Sequence, residues 1–279
     1  MRTGFVNVNK PSGVSSGYAV NRIKKLAGLS CGHMGTLDPL ASGVLPVALG
    51  NAARLFDYML EKRKRYVAVF RFGVMSDTLD STGQLDFSNP FVPSEEALKE
   101  AVHAQIGEIM QVPPRYSAKS VNGVRGYKLA RAGKEFVLPP KKVRIYNIEL
   151  LERVSDDSFR FAVECGGGTY IRSLARDVAA ACGANGIMTE LVRTASGAFR
   201  LEDAVPLDGL TAENIENYVI PTEAVLDLPT IEIGDEHIFH GLPRPTDRPD
   251  GLYKIYGKEG FYGIAEVRGG RAKIRTKLC

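Results

Sequence analysis

A nearly continuous run of apolar and aromatic side chains lies at residues 66–72. It reads Tyr-Val-Ala-Val-Phe-Arg-Phe, and because successive side chains of a strand point to opposite faces, it predicts a strand covered on both faces. Such a strand needs a layer of structure on each side. The chain has 279 residues, of which 44% are hydrophobic and 24% charged, and this is the balance of a soluble globular protein with one large or two smaller domains.

Other strand-like and helical segments alternate along the chain without a regular period. Strand patterns lie at residues 5–8, 145–151 and 159–164. Helix patterns follow Ser15 or Ser16, which can cap a helix that Gly28 closes, then Pro93, then Thr169, which can cap a helix over 170–181. Because strands and helices do not form repeated βαβ units, the sequence predicts an α+β fold with a mixed, mainly antiparallel sheet and flanking helices.

The character of the sequence changes near residues 228–229. Beyond that point, short strand patterns at 252–256, 261–267 and 272–277 are separated by glycine turns. We therefore expect two domains, residues 1–228 and residues 229–279, of which the second is a small β-barrel-like module.

Neither a membrane span nor an exported, disulfide-bonded protein fits the sequence. The longest apolar runs, such as residues 41–49, are shorter than the roughly 18 residues that a spanning helix needs. The first ten residues lack the apolar core of a secretion signal. The four cysteines lie far apart, and Cys31 with His33 has no further ligands at zinc spacing. We expect a cytoplasmic protein with reduced thiols and no metal.

Charge is distributed unevenly along the chain, although the net charge is only +4. Residues 1–200 hold 27 basic and 18 acidic side chains, residues 201–239 hold ten acidic and no basic ones, and the last forty hold nine basic and four acidic. Four consecutive cations at 62–65 precede Tyr66, and residues 115–144 carry nine cations and one acid. Cations interleaved with tyrosines are typical of a nucleic-acid-binding surface, while a solvated lysine-rich surface would give a similar composition.

One carboxylate stands isolated in the glycine-flanked segment 32–43. The segment reads Gly-His-Met-Gly-Thr-Leu-Asp-Pro-Leu-Ala-Ser-Gly, and Asp38 and His33 are its titratable groups. An Asp followed by Pro is also a good helix N-cap. The dipeptide alone leaves a capping role and a chemical role for Asp38 open.

A second segment, Gly168 to Asp177, places Arg172 in the first turn of a predicted helix. The helix dipole disfavours a cation there, so this arginine needs a nearby anion. Asp177 is five residues further on and does not share its helical face. A buried carboxylate such as Asp38 would satisfy the guanidinium and stay ionised at neutral pH.

These two segments belong to a set of motifs that resembles the TruB-type tRNA pseudouridine synthases over essentially the whole chain. The Gly-x-Leu-Asp-Pro-Leu-Ala-Ser-Gly and Gly-Thr-Tyr-Ile-Arg blocks, at this separation, are highly specific together. The matching segments are Lys10-Pro11-Ser12-Gly13, residues 32–45, Lys64-Arg65-Tyr66, Asp77-Thr78-Leu79-Asp80, Tyr116-Ser117-Ala118 with Asn122-Gly123 and Tyr127, residues 168–177 and residues 191–199.

The resemblance implies a pseudouridine synthase fold with a short C-terminal PUA domain, and isomerisation of uridine-55 in the tRNA T-loop without a cofactor or metal. It implies that Asp38 is the catalytic aspartate, that Tyr66 stacks on the target uracil and that Arg172 is the partner of Asp38. The residues expected to bind substrate are His33, Tyr170, Leu191, Lys10, Lys64, Arg65, Lys119 and Arg193. The expected partner is the tRNA T-stem-loop, bound by a monomer.

Three positions depart from the family pattern. Met34 stands where a smaller or hydroxylated residue is usual, Ser120 where lysine is common and Val192 where arginine is frequent. The last two affect individual RNA contacts and leave the chemistry unchanged.

The chemistry fits this interpretation, and alternatives remain. Pseudouridylation needs no redox step, and the chain has neither a GxGxxG motif nor a P-loop.

The alternatives are a guide-RNA-dependent dyskerin-type synthase, which usually carries a fuller PUA domain and extra terminal segments, and a non-catalytic tRNA-binding or chaperone protein. A retaining glycosidase would need a second carboxylate about 5 Å from the first. Tyr66 could also be a core aromatic, but the four cations beside it would then be unexplained.

Overall fold

The computed structural model describes residues 3–278 apart from positions 61, 118, 122, 234, 235 and 259. In the described part of the chain, no helix combines the length and apolar character that a membrane crossing requires. The helices are α1 Ser16–Ala27, α2 Phe56–Leu60, α3 Glu95–His103, α4 Gly126–Arg131 and α5 Ile171–Ala181.

Among the residues that the structure describes, the strands form two main sheets and two short hairpins. Their bounds are β1 Gly4–Lys10, β2 Cys31–His33, β3 Ser42–Leu49, β4 Lys64–Phe72, β5 Met75–Ser76, β6 Leu85–Asp86, β7 Gly107–Gln111, β8 Ser120–Val121, β9 Val124–Arg125, β10 Lys141–Arg153, β11 Ser158–Cys165, β12 Gly186–Ser196, β13 Phe199–Arg200, β14 Val205–Pro206, β15 Val219–Pro221, β16 Thr230–Ile231, β17 Arg244–Pro245, β18 Gly251–Gly257, β19 Gly260–Arg268 and β20 Arg271–Lys277.

The large sheet is mixed and mainly antiparallel, as the sequence predicts. Its order over the described residues is β14-β1-β3-β12-β4-β11-β10-β7, with β2, β13 and β15 paired at its margins. Strand β4 lies between β12 and β11 and is antiparallel to both. Its apolar run occupies the centre of the sheet, where Phe70 and Phe72 are almost fully buried. The prediction of a strand covered on both faces is confirmed.

Each face of the sheet packs into its own apolar layer. On one face, α1, α3 and α5 supply Ile23, Leu98 and Leu174 to a core that contains Phe70. On the other face, side chains such as Phe5 join a second core with residues near the C-terminus. Alternate residues of β1 belong to different cores, since Phe5 lies in the second and Val6 in the first, as the two-residue period of a strand requires.

Helix α1 begins and ends as the sequence predicts. The Ser15 hydroxyl accepts a hydrogen bond from the Tyr18 amide at 3.1 Å, and Gly28 closes the helix with φ +65°. Two other capping hypotheses are wrong. Thr169 does not cap α5, because its hydroxyl donates to the Gly166 carbonyl at 2.9 Å. Asp38 caps no helix, since residues 38–41 form a turn closed by the Ala41 amide and the Asp38 carbonyl.

The second sheet, with order β16-β18-β19-β20-β17, lies entirely beyond residue 229 and contains the three predicted C-terminal strands. It has its own small core around Ile255 and Val267. Ile264 and Leu278 nevertheless join the second core of the large sheet, and Asn51 donates to the Leu278 carbonyl at 3.0 Å. The proposed division after residue 228 therefore crosses a shared apolar contact.

Candidate active site

A cleft of about 770 Å³ opens beside β4 and β12 of the large sheet. This volume lies in the range of pockets that bind small ligands or single nucleotides. Its walls come from seven segments of the chain. They are Ser15 at the start of α1, residues 35–40, β4, residues 78–82, residues 116–117, residues 168–172 and β12.

Strand register builds one wall of the cleft. In the antiparallel pair β4 and β12, Tyr66 is opposite Arg193 and Ala68 is opposite Leu191. Residues directly opposite each other share a face, so Lys64, Tyr66, Leu191 and Arg193 all line the cleft. Tyr66 and Leu191 are each only 7% exposed, which gives the cleft an aromatic and apolar side against which a base could pack.

The loop between β2 and β3 brings Asp38 to the cleft. Its carboxylate Oδ2 lies 2.8 Å from Arg172 Nε in α5, and the side chains are 34% and 5% exposed. The ion pair predicted from the position of Arg172 is therefore present. Asp177 forms an ion pair with its neighbour Arg176 instead, with 2.7 Å between Asp177 Oδ1 and Arg176 Nη2. Asp38 thus presents a partly exposed carboxylate to the cleft while a buried cation holds it.

Sequence reasoning missed the second carboxylate at Arg172. Asp80 Oδ2 lies 3.5 Å from Arg172 Nη1, and its side chain is 6% exposed. The other oxygen of Asp80 accepts from the Thr78 hydroxyl at 2.7 Å and from the amide and hydroxyl of Thr82. The signal was visible in the Asp77-Thr78-Leu79-Asp80 motif, but the motif does not reveal which arginine it reaches.

Arg172 also donates to two main-chain carbonyls, that of Thr78 at 2.8 Å and that of Tyr116 at 3.0 Å. The guanidinium therefore joins the Asp38 loop to two other segments of the cleft. Between Thr78 and Asp80, Leu79 has φ +60°, which is uncommon for a residue with a side chain. Its carbonyl accepts from the Met188 amide at 3.2 Å, so β12 holds this strained turn in place.

A buried glutamine orients the neighbouring wall of the cleft. Gln111 is 1% exposed, and its side-chain amide both accepts from the Tyr170 amide at 2.8 Å and donates to the Tyr170 carbonyl at 3.2 Å. This contact fixes Tyr170 at the start of α5, where no side-chain cap is present. Nothing in the sequence around Gln111 indicates this role.

Burial keeps the phenols of Tyr66 and Tyr170 protonated. It raises the pKa of Tyr66 to about 12, although the adjacent Arg193 opposes the rise by charge and by a hydrogen bond. Burial also raises the pKa of Tyr170. Both phenols are therefore neutral at pH 7.

Two of the predicted RNA-binding lysines are buried. Burial lowers the pKa of Lys10 and of Lys64 to about 8 in each case. Lys10 is fully buried, and its Nζ donates to the carbonyls of Pro11 and Val14 at 2.7 Å. Lys64 is 5% exposed and borders the cleft. Direct contact of either lysine with RNA stays a prediction.

The remaining predicted residues occupy different positions. Arg193 is 1% exposed and donates to the carbonyls of Val44 and Gly35 at 2.7 and 3.1 Å. Gly43 has φ +98°, and a Cβ there would collide with the Arg193 carbonyl. His33 lies in β2, where burial lowers its pKa. Arg65 is exposed and pairs with Glu164 at 3.6 Å; Lys119 is partly buried.

Seven of the predicted site residues therefore meet in the cleft. They are Asp38, Tyr66, Arg172, Tyr170, Leu191, Lys64 and Arg193. Lys10, His33, Arg65 and Lys119 lie outside its lining. Across the residues that the structure describes, no three His, Cys, Asp or Glu side chains are grouped as metal ligands.

Comparison with known proteins gives one consistent family. The model for "TruB family pseudouridylate synthase (N terminal domain)" matches residues 23–171. A tRNA pseudouridine synthase B from Clostridium novyi (strain NT) is 41% identical, and the alignment covers 99% of each chain. The enzyme of the same name from Francisella philomiragia subsp. philomiragia is 38% identical over 96% of this chain and 92% of that relative.

The fold is also similar to a solved structure. A chain in a crystal structure of a Cbf5-Nop10-Gar1 complex superposes with a TM-score of 0.72 at 27% identity. The alignment covers 99% of this chain and 85% of that one. The likeness therefore includes both the large sheet and the C-terminal sheet.

Proposed function

Because the chain belongs to the TruB family of pseudouridylate synthases and is a tRNA pseudouridine synthase, we propose that it converts uridine-55 of the tRNA T-loop to pseudouridine, with Asp38 as the catalytic carboxylate. The observation that carries this proposal is the ion pair of Asp38 with the buried Arg172, which opens onto a cleft walled by Tyr66. Relatives over nearly the full length that are named tRNA pseudouridine synthase B support the choice of substrate.

The reaction breaks the bond from uracil N1 to ribose C1′, turns the uracil and joins its C5 to C1′. C5 loses its proton and N1 gains one, so the composition of the nucleoside does not change. Asp38 can begin it by attack on C1′ or by removal of a proton from C2′. Both routes require an anion at that position, and the cation of Arg172 stabilises the anion. No electrons are gained or lost overall, so the reaction needs no redox partner.

The target base must leave its stack in the T-loop before it can enter the cleft. Flipping a base costs on the order of a few kcal/mol. Stacking on an aromatic side chain returns ~1 to 3 kcal/mol, and Tyr66 together with Leu191 offers such a surface in the cleft. We propose that these two residues and Tyr170 hold the uracil while it turns.

Tyr66 is also our candidate for handling the C5 proton. A phenol whose pKa is about 12 is neutral at pH 7, so it can take the C5 proton only if its own hydroxyl proton passes to another acceptor. Uracil N1, which gains a proton in the reaction, is the acceptor that balances this exchange. The positive charge of Arg193 beside the phenol favours the phenolate that would develop during this exchange.

Two other functions fit less well. A guide-RNA-dependent synthase is suggested by the likeness to Cbf5, but that likeness is at 27% identity, below the 38% and 41% of the two tRNA enzymes. A retaining glycosidase would use two available carboxylates. Asp80 is buried, its Oδ1 accepts hydrogen bonds from Thr78 and Thr82, and its Oδ2 lies beside Arg172, so protein groups engage both of its oxygens.

The proposal is tested by mapping pseudouridine in an unmodified tRNA transcript and in its isolated T-arm after incubation with the protein alone. We expect one modified position, the T-loop uridine, in both RNAs and without any guide RNA. Modification elsewhere, or only after a guide RNA is added, would overturn the proposal.

We further propose that the protein acts as a cytoplasmic monomer and that residues 229–279 form a PUA-type RNA-binding module. The excess of cations in the last forty residues supports this role. Exposed examples are Arg271 and Lys273 on β20. Because Ile264 and Leu278 share a core with the large sheet, removal of the whole module would expose apolar surface, and substitution of its cations is the cleaner test.

Replacement of Arg271 and Lys273 by Gln is expected to weaken tRNA binding and make it less sensitive to salt. For every phosphate that is no longer neutralised, the slope of log affinity against log salt should fall by about 0.9, while the rate at saturating tRNA stays unchanged. The measurement is tRNA affinity by filter binding at several salt concentrations. Lys99→Gln, on the exposed side of α3, is the control, and equal slopes in all three proteins would show that β20 does not contact RNA.

A further inference from the structure

The loop that carries Asp38 has few strand partners of its own. The Met34 amide bonds to the Pro46 carbonyl at 2.9 Å, and β3 starts only at residue 42. Within the loop, the Ala41 amide bonds to the Asp38 carbonyl at 3.1 Å. A loop of this kind moves easily unless other groups satisfy and hold its main chain.

Ser16 supplies such a group directly beside Asp38. Its side chain is 3% exposed, and its hydroxyl donates to the Leu37 carbonyl at 2.7 Å and accepts from the Leu37 amide at 2.8 Å. One side chain therefore satisfies both main-chain groups of the residue that precedes the carboxylate. Such a pair of bonds fixes the two peptide groups that flank the Leu37 Cα, the second of which leads directly into Asp38.

The segment before Ser16 holds the other side of Asp38. The Gly13 amide donates to the Pro39 carbonyl at 2.8 Å, and the Ser12 hydroxyl donates to the Leu40 carbonyl at 2.7 Å. Buried Lys10 in turn holds the carbonyls of the same segment. Arg193 holds the Gly35 carbonyl on the far side of the loop.

These contacts fix the main chain on both sides of Asp38, and Arg172 holds its carboxylate. The side chain is 34% exposed and is paired with Arg172, while the residues before and after it are fixed. A displacement of about 1 Å in a reacting group can reduce a rate about 100-fold. The bonds to Leu37 are therefore suited to set the distance between Asp38 and the reacting sugar.

We propose that Ser16 is a positioning residue for the isomerisation, acting through Leu37 on the carboxylate of Asp38, with Ser12 as a weaker support on the other side. This inference rests on the proposed catalytic role of Asp38. Ser16 belongs to the first helix in the chain and does not border the cleft, whereas the preceding Ser15 does. The bonds of Ser16 to Leu37 are therefore its direct connection to the loop that carries Asp38.

The test compares Ser16→Ala with Ser94→Ala. Ser94 is a serine that caps α3 and accepts from the Ala97 amide at 3.3 Å, away from the cleft. We expect Ser16→Ala to lower the single-turnover rate about 10- to 100-fold, with a tRNA Kd within about twofold of the original. Ser94→Ala should lower Tm and leave the rate unchanged.

A rate for Ser16→Ala within twofold of the original, or a loss explained by its unfolded fraction, would overturn the inference. If Ser16→Ala does not fold, Ser12→Ala at the exposed position beside it decides. Support of the Asp38 loop from this segment requires a measurable fall in the rate of Ser12→Ala, and an unchanged rate would overturn the inference. Asp38→Asn measured alongside separates the two claims. An inactive Asp38→Asn with a fully active Ser16→Ala rejects the positioning role alone. An active Asp38→Asn rejects the catalytic role of Asp38, on which the inference rests, and leaves the synthase activity itself in place.

Discussion

Asp38→Asn is expected to reduce pseudouridine formation at least about 1,000-fold, the scale seen when a reacting group is removed from an active site. The amide keeps the size of the carboxylate and one acceptor oxygen, but it carries no charge. It can neither attack C1′ nor take a proton from C2′. Because the change lies in the reacting group and not on the outer surface, tRNA affinity should stay within about threefold.

The fold should tolerate this substitution. Arg172 keeps Asp80 and the carbonyls of Thr78 and Tyr116 as partners, so the loss of the Asp38 charge does not leave it isolated. The measurement is a single-turnover assay with tRNA, accompanied by a binding titration. Asp86→Asn, at an exposed position outside the cleft, is the matched control, and turnover near the original rate in Asp38→Asn would remove Asp38 from the mechanism.

Arg172→Lys is expected to slow the reaction about 100-fold, with a much smaller change in tRNA binding. The lysine keeps the positive charge but loses the planar fork that reaches several acceptors at once. Asp38, Asp80 and two main-chain carbonyls share the guanidinium, and one ammonium cannot hold all of them in place. The Asp38 carboxylate should therefore keep a cation beside it but be poorly oriented.

Arg176→Lys is the control for this prediction. Arg176 lies one turn further along α5 and pairs with Asp177 at 2.7 Å, and it does not line the cleft. We expect the reaction rate of the Arg176→Lys variant to stay within about twofold of the original rate. If Arg172→Lys weakened tRNA binding as strongly as it slowed the reaction, Arg172 would act as an RNA-binding cation and not as the counter-ion of Asp38.

Local features of the sequence were sufficient for the elements whose reasons are local. The apolar run in β4 predicts a central strand because both of its faces are buried. Ser15 and Gly28 predict the ends of α1 because capping depends on a few neighbouring residues. The prediction for Thr169 failed because its hydroxyl had a competing acceptor in the glycine turn before it.

A contact within the site could be predicted from the sequence only where the local structure leaves a charged group without a partner. Arg172 at the start of a helix required an anion, and Asp38 supplies it. Asp80 could not be paired in the same way, because its contact with Arg172 depends on how a distant turn folds over α5. The resemblance implies that Lys10 binds substrate, but nothing in the local sequence predicts that its ammonium bonds to two carbonyls inside the protein.

The most direct test of the central claim uses a tRNA transcript labelled with tritium at C5 of its uridines. Formation of pseudouridine releases the C5 hydrogen to water, so the protein alone should release one tritium per tRNA. A transcript in which cytidine replaces uridine-55 should release none. Release from that transcript, or no release from the unaltered tRNA, would contradict the assignment of this chain as the synthase that modifies the T-loop.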